Sequence, residues 1–215
     1  MSGKPLVMPA NLSVDQLVLT TFPSEAQESI RALLLENNDL REQLEAAQTR
    51  ALQLENEARE DPLTGLLNRR GIDEELKRAI DLVRRYDAAI SLLFIDLDDF
   101  KNINDEYGHA VGDNALVHIS ELFRSNIRRS DIIARIGGDE FAILLWQTNE
   151  KAARTKAEML SDLIAREPLR VKDHAVRLGA SIGSALITAE DEFPGPILAR
   201  ADQAMYQVKD SRQGA

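Results

Sequence analysis

Residues 89–101, AISLLFIDLDDFK, join a short apolar run to a cluster of aspartates. The run at residues 89–96 has the length and composition of a buried β-strand. Carboxylates at the end of such a strand, where the chain leaves the sheet, are well placed to bind a hard metal ion. Side-chain alternation directs Asp96 and Asp98 to one side of the strand and Asp99 to the other. By itself, the cluster is equally compatible with a solvated acidic loop.

A second acidic cluster lies at the tip of a predicted β-hairpin, where residues 131–147 surround Gly137 and Gly138. The two glycines permit positive φ angles and a close approach of the backbone to a ligand. Asp139 and Glu140 follow directly, so a carboxylate lies beside a gap that suits a phosphate. For this motif alone, a plain β-turn with solvated acids is the alternative.

The two clusters together predict a carboxylate site that neither predicts alone. A strand that ends in aspartate, beside a hairpin that carries Asp-Glu, can hold metal ions and a nucleoside triphosphate, as in polymerase palm domains. The mixture of helices and strands around them predicts an α+β fold, a palm-like sheet with flanking helices. The predicted elements are a helix at about 69–86, a strand at 89–96, a helix at about 112–127, hairpin strands at 131–136 and 140–147, a helix at about 150–166, a strand pair within 169–187 and a helix at about 195–209.

Composition limits the classes of function that the chain can have. The 215 residues allow one or two domains, and an apolar content of 44% is enough for a core. The absence of cysteine excludes disulfide scaffolds and thiol nucleophiles. A net charge of −10 without a basic stripe argues against nucleic-acid binding. No apolar run approaches the about 20 residues of a membrane span, and no signal-peptide pattern opens the chain, so we expect a soluble cytoplasmic protein.

Residues 25–60 are predicted to form a coiled-coil stalk between an irregular segment, residues 1–24, and a catalytic domain, residues 61–215. The stalk has no glycine or proline, and a heptad with position a at Ile30 carries apolar residues at every a and d position except Asn37. Oppositely charged e and g pairs favour a parallel dimer, and an asparagine at an a position fixes the register. The seam consists of Ile30, Leu33, Asn37, Leu40, Leu44, Ala47, Ala51, Leu54 and Ala58.

The predicted stalk is weak, because alanines at Ala47, Ala51 and Ala58 bury less apolar surface than leucine would. A monomeric amphipathic helix packed on its own domain is the alternative to the dimer. Leu34 and Leu35 fall at positions e and f, outside the seam. They either contact the N-terminal segment or provide a docking surface for a regulatory protein.

Residues 137–141 read GGDEF, and together with other motifs in the same order they make the chain resemble the GGDEF family of diguanylate cyclases. The resemblance covers about residues 61–212 and departs from the family pattern near its end, where Arg212 arrives one residue early and a glycine is missing. The other motifs are DPLTGLLNRR at 61–70, DLDDFKNIN at 96–104, GH at 108–109, GD at 112–113, SIG at 181–183 and ADQAMY at 201–206.

The resemblance implies a nucleotidyl-cyclase fold and an enzyme that joins two GTP molecules into cyclic di-GMP. It assigns catalysis to Asp96, Asp139 and Glu140. The same three residues, with the Leu97 carbonyl, would bind Mg²⁺ or Mn²⁺. The implied GTP contacts are Asp99, Phe100, Lys101, Asn104, Asp113, Gly137, Gly138, Lys209 and Arg212.

The resemblance also implies a site for inhibition by the product, formed by Arg128 and Asp131 at RxxD spacing. A helix C-terminus stabilised by arginines is the alternative for this pair. Asn104 and Asp113 would bind the guanine base, and turn or N-cap chemistry is their alternative role. A carboxylate at position 113 favours GTP over ATP, because guanine presents N–H donors where adenine presents an acceptor.

Competing functions are a catalytically silent domain that serves as a cyclic di-GMP receptor or scaffold, an adenylate-type cyclase, an inert coiled-coil scaffold and a metallohydrolase. The acids at Asp96, Asp139 and Glu140 argue against a silent domain, and the three histidines lack metal-ligand spacing. Cyclic di-GMP has two-fold symmetry, so two domains must face each other, and the stalk would raise their effective concentration. With no sensor domain before the stalk, we expect control by a separate protein that binds residues 25–60.

Overall fold

The computed structural model describes residues 23–57, 59–171 and 174–213, without the side chains of residues 49, 51–57, 174 and 212–213. Most of the segment predicted to be irregular, residues 1–24, therefore lies outside the described residues. The side chains of Ala51, Leu54 and Arg212 lie outside them too, as does Ala58. The chain divides into two units, the first ending at Leu54 and the second beginning at Glu55.

Helix α1 spans Ser24–Glu57 and confirms the long N-terminal helix that the heptad predicts. The predicted seam is exposed along this helix, with Leu33, Leu40 and Leu44 at 63%, 56% and 57% of full exposure. Leu34 and Leu35, outside the seam, are also exposed. None of the helices in the described ranges has both the length and the apolar character that crossing a bilayer requires.

The second unit is built on a four-stranded antiparallel sheet with the strand order β2-β3-β1-β6. A separate two-stranded hairpin, β4-β5, lies outside this sheet. The strands are β1 Ser91–Leu97, β2 Ile132–Gly137, β3 Glu140–Leu145, β4 Leu169–Val171, β5 His174–Val176 and β6 Ala180–Leu186. The helices are α2 Arg69–Tyr86, α3 Phe100–Tyr107, α4 His109–Asn126, α5 Glu150–Arg166 and α6 Pro194–Gln213.

Helices cover both faces of this sheet, which confirms the predicted α+β arrangement. Along β1, Leu93 and Ile95 belong to a core with side chains of α3, α4 and α5, whereas Leu92 and Phe94 belong to a core with α2 and α6. All four side chains are buried. Because both faces of β1 are covered, its sequence is continuously apolar rather than alternating.

The segment after β1 differs from the prediction, which has no helix before about residue 112. Helix α3 begins directly after Asp99, which has a φ of 54°. Gly108, with a φ of 86°, separates α3 from α4, and α4 begins at His109. Asp113 therefore lies inside α4, so the predicted alternative of an N-cap role for Asp113 is wrong.

Helix α6 approaches strand β6 closely at Gly183. A Cβ atom at this position would lie 2.7 Å from the Cα of Met205 and closer still to the Met205 nitrogen and the Ala201 carbonyl oxygen. A Cβ atom essentially never lies this close to another backbone. Glycine at position 183 is therefore what allows α6 to lie directly on the sheet.

The turn before α2 is tied to the tip of the β2–β3 hairpin through Arg135. The Asp61 carboxylate accepts hydrogen bonds from the Thr64 amide (2.9 Å) and hydroxyl (2.7 Å) and from Nη1 of Arg135 (3.2 Å). Nε and Nη2 of Arg135 donate to the Gly138 carbonyl at 3.0 and 2.8 Å. We refer to these four residues as the Asp61–Arg135 clamp. Its ion pair is largely shielded from water, with side-chain exposures of 17% and 15%.

The clamp makes the stability of the protein depend on pH in the acid range. Burial alone would raise the pKa of Asp61, but hydrogen bonds from Thr64 and Arg135 outweigh burial and lower this pKa below its ordinary value of 3.8. A carboxyl group with a lowered pKa stabilises the fold above its unfolded pKa, and this stabilisation is lost as pH falls through the folded pKa. Asp61→Asn should lower the free energy of unfolding at pH 7 by about 1–3 kcal/mol.

Urea unfolding at pH 7 and at lower values down to about pH 3 measures this effect, and the difference between wild type and Asp61→Asn should narrow as the pH falls. Asp162→Asn is the matched control, because Asp162 forms an exposed pair with Arg166 at 3.8 Å. A destabilisation by Asp61→Asn that does not change with pH would show that the ionised carboxylate is not what stabilises the turn.

Candidate active site

The register of β1 brings the two predicted acidic clusters together. Asp96, near the end of β1, is paired with Glu140 on β3 and with Ser181 on β6. Asp139 lies at the hairpin tip next to Glu140, and its carbonyl accepts a hydrogen bond from the Leu97 amide at 3.3 Å. Asp96 and Asp139 are 43 positions apart in the sequence, and they therefore lie together at one end of the neighbouring strands β1 and β3.

Helix α6 contributes a cation to this edge. Nζ of Lys209 donates to Oδ1 of Asp96 at 2.5 Å, and this hydrogen bond raises the pKa of Lys209. The negative charges of Asp98 and Asp139 raise it further. Lys209 thus keeps its positive charge beside the predicted metal-binding carboxylates.

The acids at the hairpin tip repel one another. Burial raises the pKa of Asp139, and the charge of Asp96 raises it further. Burial also raises the pKa of Glu140, with additional contributions from Asp96, Asp139 and Asp202 and an opposing one from Arg69. A bound cation would relieve this repulsion, so the electrostatics of the site favour a positively charged ligand.

The oxygen donors at this edge suit a divalent ion that shares its coordination with a phosphate ligand. Mg²⁺ is usually held by one or two carboxylates together with substrate phosphates and water, rather than by a closed protein cage. Asp96, Asp139 and the Leu97 carbonyl match that donor set. Within the described ranges, no three side chains of His, Cys, Asp or Glu are grouped closely enough to hold an ion by themselves.

The predicted phosphate contacts lie next to these acids, where α3 begins. Asp99 is the N-cap residue of α3, and Phe100 and Lys101 form its first turn. The unpaired amides at a helix N-terminus favour an anion. Asp98, which lies next to these residues, has a structural contact instead, since its carboxylate accepts a hydrogen bond from the Ser181 hydroxyl at 2.8 Å.

The predicted base contacts lie at the junction of α3 and α4. Asn104 belongs to α3 and is half-buried, and Asp113 belongs to α4 and is exposed. The Asn104 carbonyl accepts a hydrogen bond from the Gly108 amide at 2.9 Å, which closes the end of α3. Asn104 and Asp113 therefore lie on two consecutive helices that are joined at Gly108.

The predicted inhibitory pair has a structural contact of its own. The Asp131 carboxylate accepts hydrogen bonds from the backbone amides of Arg128 (3.1 Å) and Trp146 (3.2 Å), which closes the turn before β2. Arg128 itself is exposed. A groove of about 350 Å³ beside Asp131 is lined in part by Arg59 and Arg124, whose guanidinium groups bind carboxylates and carbonyls of the same chain.

Sequence reasoning missed several charged residues that act on the site. Arg135 fixes the hairpin tip through the clamp, and Asp202 and Arg69 change the pKa of Glu140 in opposite directions. Asp202 lies in a motif that the resemblance recognises, so its placement near the acids could have been inferred from the motif. No local pattern links Arg135 to Asp61, because 74 residues separate them.

Comparison with known proteins places the chain in a family. Residues 58–215 match the family model described as diguanylate cyclase, GGDEF domain. The bifunctional diguanylate cyclase/cyclic di-GMP phosphodiesterase MucR of Pseudomonas aeruginosa is 43% identical over 150 residues, which are 70% of this chain and 22% of MucR. The diguanylate cyclase TpbB of the same species is 39% identical over 186 residues, 83% of this chain and 42% of TpbB. The chain thus spans less than half the length of these curated relatives.

Solved structures show the same fold. The coiled coil and GGDEF domain of DgcB from Caulobacter crescentus, in complex with c-di-GMP, matches with a TM-score of 0.76 and 25% identity, over 84% of this chain and 95% of that structure. The diguanylate cyclase SiaD of Pseudomonas aeruginosa, in complex with its activator SiaC, matches with a TM-score of 0.69 and 30% identity. The match covers 92% of this chain and 74% of the SiaD chain. These matches confirm the predicted cyclase fold, and the chain belongs to the GGDEF family of diguanylate cyclases.

Proposed function

We propose that this chain is a diguanylate cyclase, which condenses two GTP molecules into cyclic di-GMP and releases two pyrophosphates. The observation that carries the proposal is the register that sets Asp96 opposite Glu140, next to Asp139 and within hydrogen-bond distance of Lys209. Three carboxylates and a lysine at one end of the strands are suited to bind a metal-bound triphosphate. The names of the family and of the curated relatives support the same reaction.

Each residue of the edge has a role in this reaction. Asp96, Asp139 and the Leu97 carbonyl would hold Mg²⁺ or Mn²⁺, which neutralises phosphate charge when bound. Glu140 would accept the proton of the attacking 3′-hydroxyl or help to bind a second ion. Lys209 would bind a phosphate.

The remaining contacts hold the nucleotide. Lys101 and the first amides of α3 would bind phosphate, and the absence of side chains at Gly137 and Gly138 would let the triphosphate approach the backbone. Asp113 and Asn104 would bind guanine, whose N–H donors suit a carboxylate. The proposal therefore includes a preference for GTP over ATP.

Two domains are needed for one product molecule. Each 3′-hydroxyl attacks the α-phosphorus of the GTP on the opposite domain, forms a new P–O bond and breaks the bond between the α- and β-phosphates. Pyrophosphate leaves with the electrons of that bond, and the hydroxyl proton passes to a base such as Glu140. Because this happens twice, activity depends mainly on the mutual positioning of two domains.

The cyclase reaction can be tested with Asp139→Asn, which removes a metal-binding charge from the hairpin tip. Incubation with GTP and Mg²⁺, with products identified by mass spectrometry, should yield cyclic di-GMP and pyrophosphate from the wild type. The variant should be slower by about 100-fold or more. Asp162→Asn should match the wild type, since Asp162 is an exposed residue on α5 away from the predicted site residues.

Equal rates for Asp139→Asn and the wild type would contradict the metal assignment. A wild type that binds GTP but forms no cyclic di-GMP, even at high concentration and with the stalk replaced by a strong leucine zipper, would contradict the cyclase assignment. That result would favour a silent domain that serves as a receptor.

We also propose that cyclic di-GMP inhibits the enzyme by binding at Arg128 and Asp131. The exposed Arg128 side chain supports this, since a guanidinium group can form paired hydrogen bonds with guanine or phosphate. DgcB, in a structure with c-di-GMP, is a structural relative of this chain. Asp131 accepts two backbone amides, so it has a structural role as well as its proposed one.

Arg128→Ala is therefore a cleaner test of product inhibition than a change at Asp131. The variant should keep its activity and its stability, and the cyclic di-GMP concentration that halves activity should rise by about tenfold or more. Asp131→Ala should also lower stability, because two amides lose their acceptor. Arg129→Ala, a change at the exposed neighbour, is the control and should leave inhibition unchanged.

The exposed seam of α1 supports a third part of the proposal, a homodimer held by the stalk. Leucines at a and d positions are exposed along one helix, and a second copy of the helix would cover them. The likeness to SiaD, solved with its activator SiaC, supports control by a separate activator that binds residues 25–60. Leu34 and Leu35, outside the seam, would provide part of its docking surface.

Replacing both Leu33 and Leu40 with serine should weaken the dimer by about 100-fold or more, because each chain loses two apolar contacts from the seam. Sedimentation and specific activity, both measured over a series of protein concentrations, would detect this. Leu35→Ser is the control, since Leu35 lies outside the seam and is 71% exposed. A double variant with an unchanged dimer constant would contradict the predicted seam.

A further inference from the structure

Gly112 lies in the first part of α4, directly against the carboxamide of Asn104. A Cβ atom at position 112 would be 2.9 Å from Cγ of Asn104, 3.3 Å from the ring of Phe100 and closer still to Oδ1 of Asn104. A Cβ atom essentially never lies within 3.0 Å of such a neighbouring heavy atom. The space that a side chain at position 112 would fill is therefore occupied by the Asn104 carboxamide.

Backbone conformation does not explain this glycine. Gly108, at the helical corner, has a φ of 86° that favours glycine, whereas Gly112 lies within α4 and is not among the positive-φ residues of the described ranges. Glycine inside a helix is less favourable than alanine. The reason for glycine at position 112 is therefore the Asn104 carboxamide, which occupies the space of a side chain.

The missing side chain at position 112 makes room for the Asn104 carboxamide, whose hydrogen-bonding groups remain available. In the described part of the chain, no hydrogen bond to the Asn104 carboxamide is present, and the residue is half-buried rather than enclosed. A carboxamide with unused donors and acceptors is suited to bind a ligand. Asp113, the neighbour of Gly112 in the sequence, is exposed.

We propose that Gly112 is a positioning residue for guanine recognition, which seats the Asn104 carboxamide so that Asn104 and Asp113 bind one base together. This inference rests on the proposed function, since it assumes that both residues contact guanine. Gly112 itself touches no substrate. Its effect is on affinity and base selectivity, because the proposed metal ligands belong to β1 and the hairpin, and the proposed phosphate contacts belong to the first turn of α3, the hairpin and α6.

Gly112→Ala tests the inference. Displacement of the carboxamide should raise KM for GTP, and the Kd from calorimetric titration, by about tenfold. The kcat for cyclic di-GMP should remain within about twofold, because an interaction with the base made equally in the ground state and the transition state affects only binding. Selectivity for GTP over inosine triphosphate and over ATP should fall. A role in packing alone would not change base selectivity.

The matched control is Gly195→Ala, another helical glycine, whose Cβ would meet only the Phe193 ring at 3.8 Å. It should leave KM, kcat and selectivity unchanged. The decisive comparison is a double-mutant cycle with Asn104→Ala. Gly112→Ala should add almost nothing in the Asn104→Ala background, because the carboxamide that it displaces is already absent and only the Phe100 ring, at 3.3 Å, remains close to the added methyl group.

Additive effects of the two changes, or an unchanged selectivity in a folded Gly112→Ala protein, would overturn the inference. If Gly112→Ala alone does not fold, the double variant takes its place and must fold and bind GTP as Asn104→Ala does. The calorimetric titrations distinguish a failure of the cyclase proposal from a failure of the inference about Gly112. A wild type that binds GTP without forming cyclic di-GMP would contradict the cyclase proposal and leave Gly112 under test, whereas a wild type that binds no GTP would overturn both.

Discussion

The position of every acid in the candidate site depends on the register of β1 between β3 and β6. This register sets Asp96 against Glu140 on one side and against Ser181 on the other. A shift by one residue would turn Asp96 into the core and an apolar side chain toward the phosphate site. Burial of Leu93 and Ile95 on one face and of Leu92 and Phe94 on the other makes such a shift costly. The apolar packing of β1 therefore positions the polar end of the strand.

The same register creates an electrostatic problem that the surrounding elements partly relieve. Asp139 and Glu140 have raised pKa values because they are desolvated beside other acids. Lys209, on α6, offsets part of this negative charge. The clamp holds the hairpin tip through the Gly138 carbonyl and does not bind the carboxylates of Asp139 and Glu140. The site thus remains folded while it retains affinity for a cation.

The sequence predicted the elements that have a strong period or a strong turn signal. The helices α2 and α5, the buried strand β1 and the glycine-paired hairpin follow from local patterns, and the acids at their ends follow from chemistry. Helix α3 was missed because it has eight residues and only Ile103 among them is buried, which is too little for a periodic pattern. The motifs supply the candidate site residues, and the role of each residue and the pairing of the stalk remain predictions.

Contacts between distant residues could not be predicted from local spacing. The ion pair between Asp61 and Arg135 joins a turn to a strand, and neither residue lies in a periodic pattern that points to the other. The structural role of Asp131 was also hidden, since an RxxD spacing does not show that the carboxylate accepts hydrogen bonds from two backbone amides. Such contacts are properties of the folded chain rather than of any segment.

The close approach of α6 to Gly183 limits where the chain length can vary. Ala201 and Met205 contact Gly183 through their backbones, so this part of α6 cannot slide along the sheet. Each residue inserted into a helix rotates the remainder of that helix by about 100° and moves it by about 1.5 Å along the axis. An insertion between Met205 and Lys209 would therefore swing the lysine away from Asp96, whereas one in the loop at residues 187–193 would leave it in place. Between β6 and Lys209, insertions and deletions compatible with this site are thus confined to the loop before the helix.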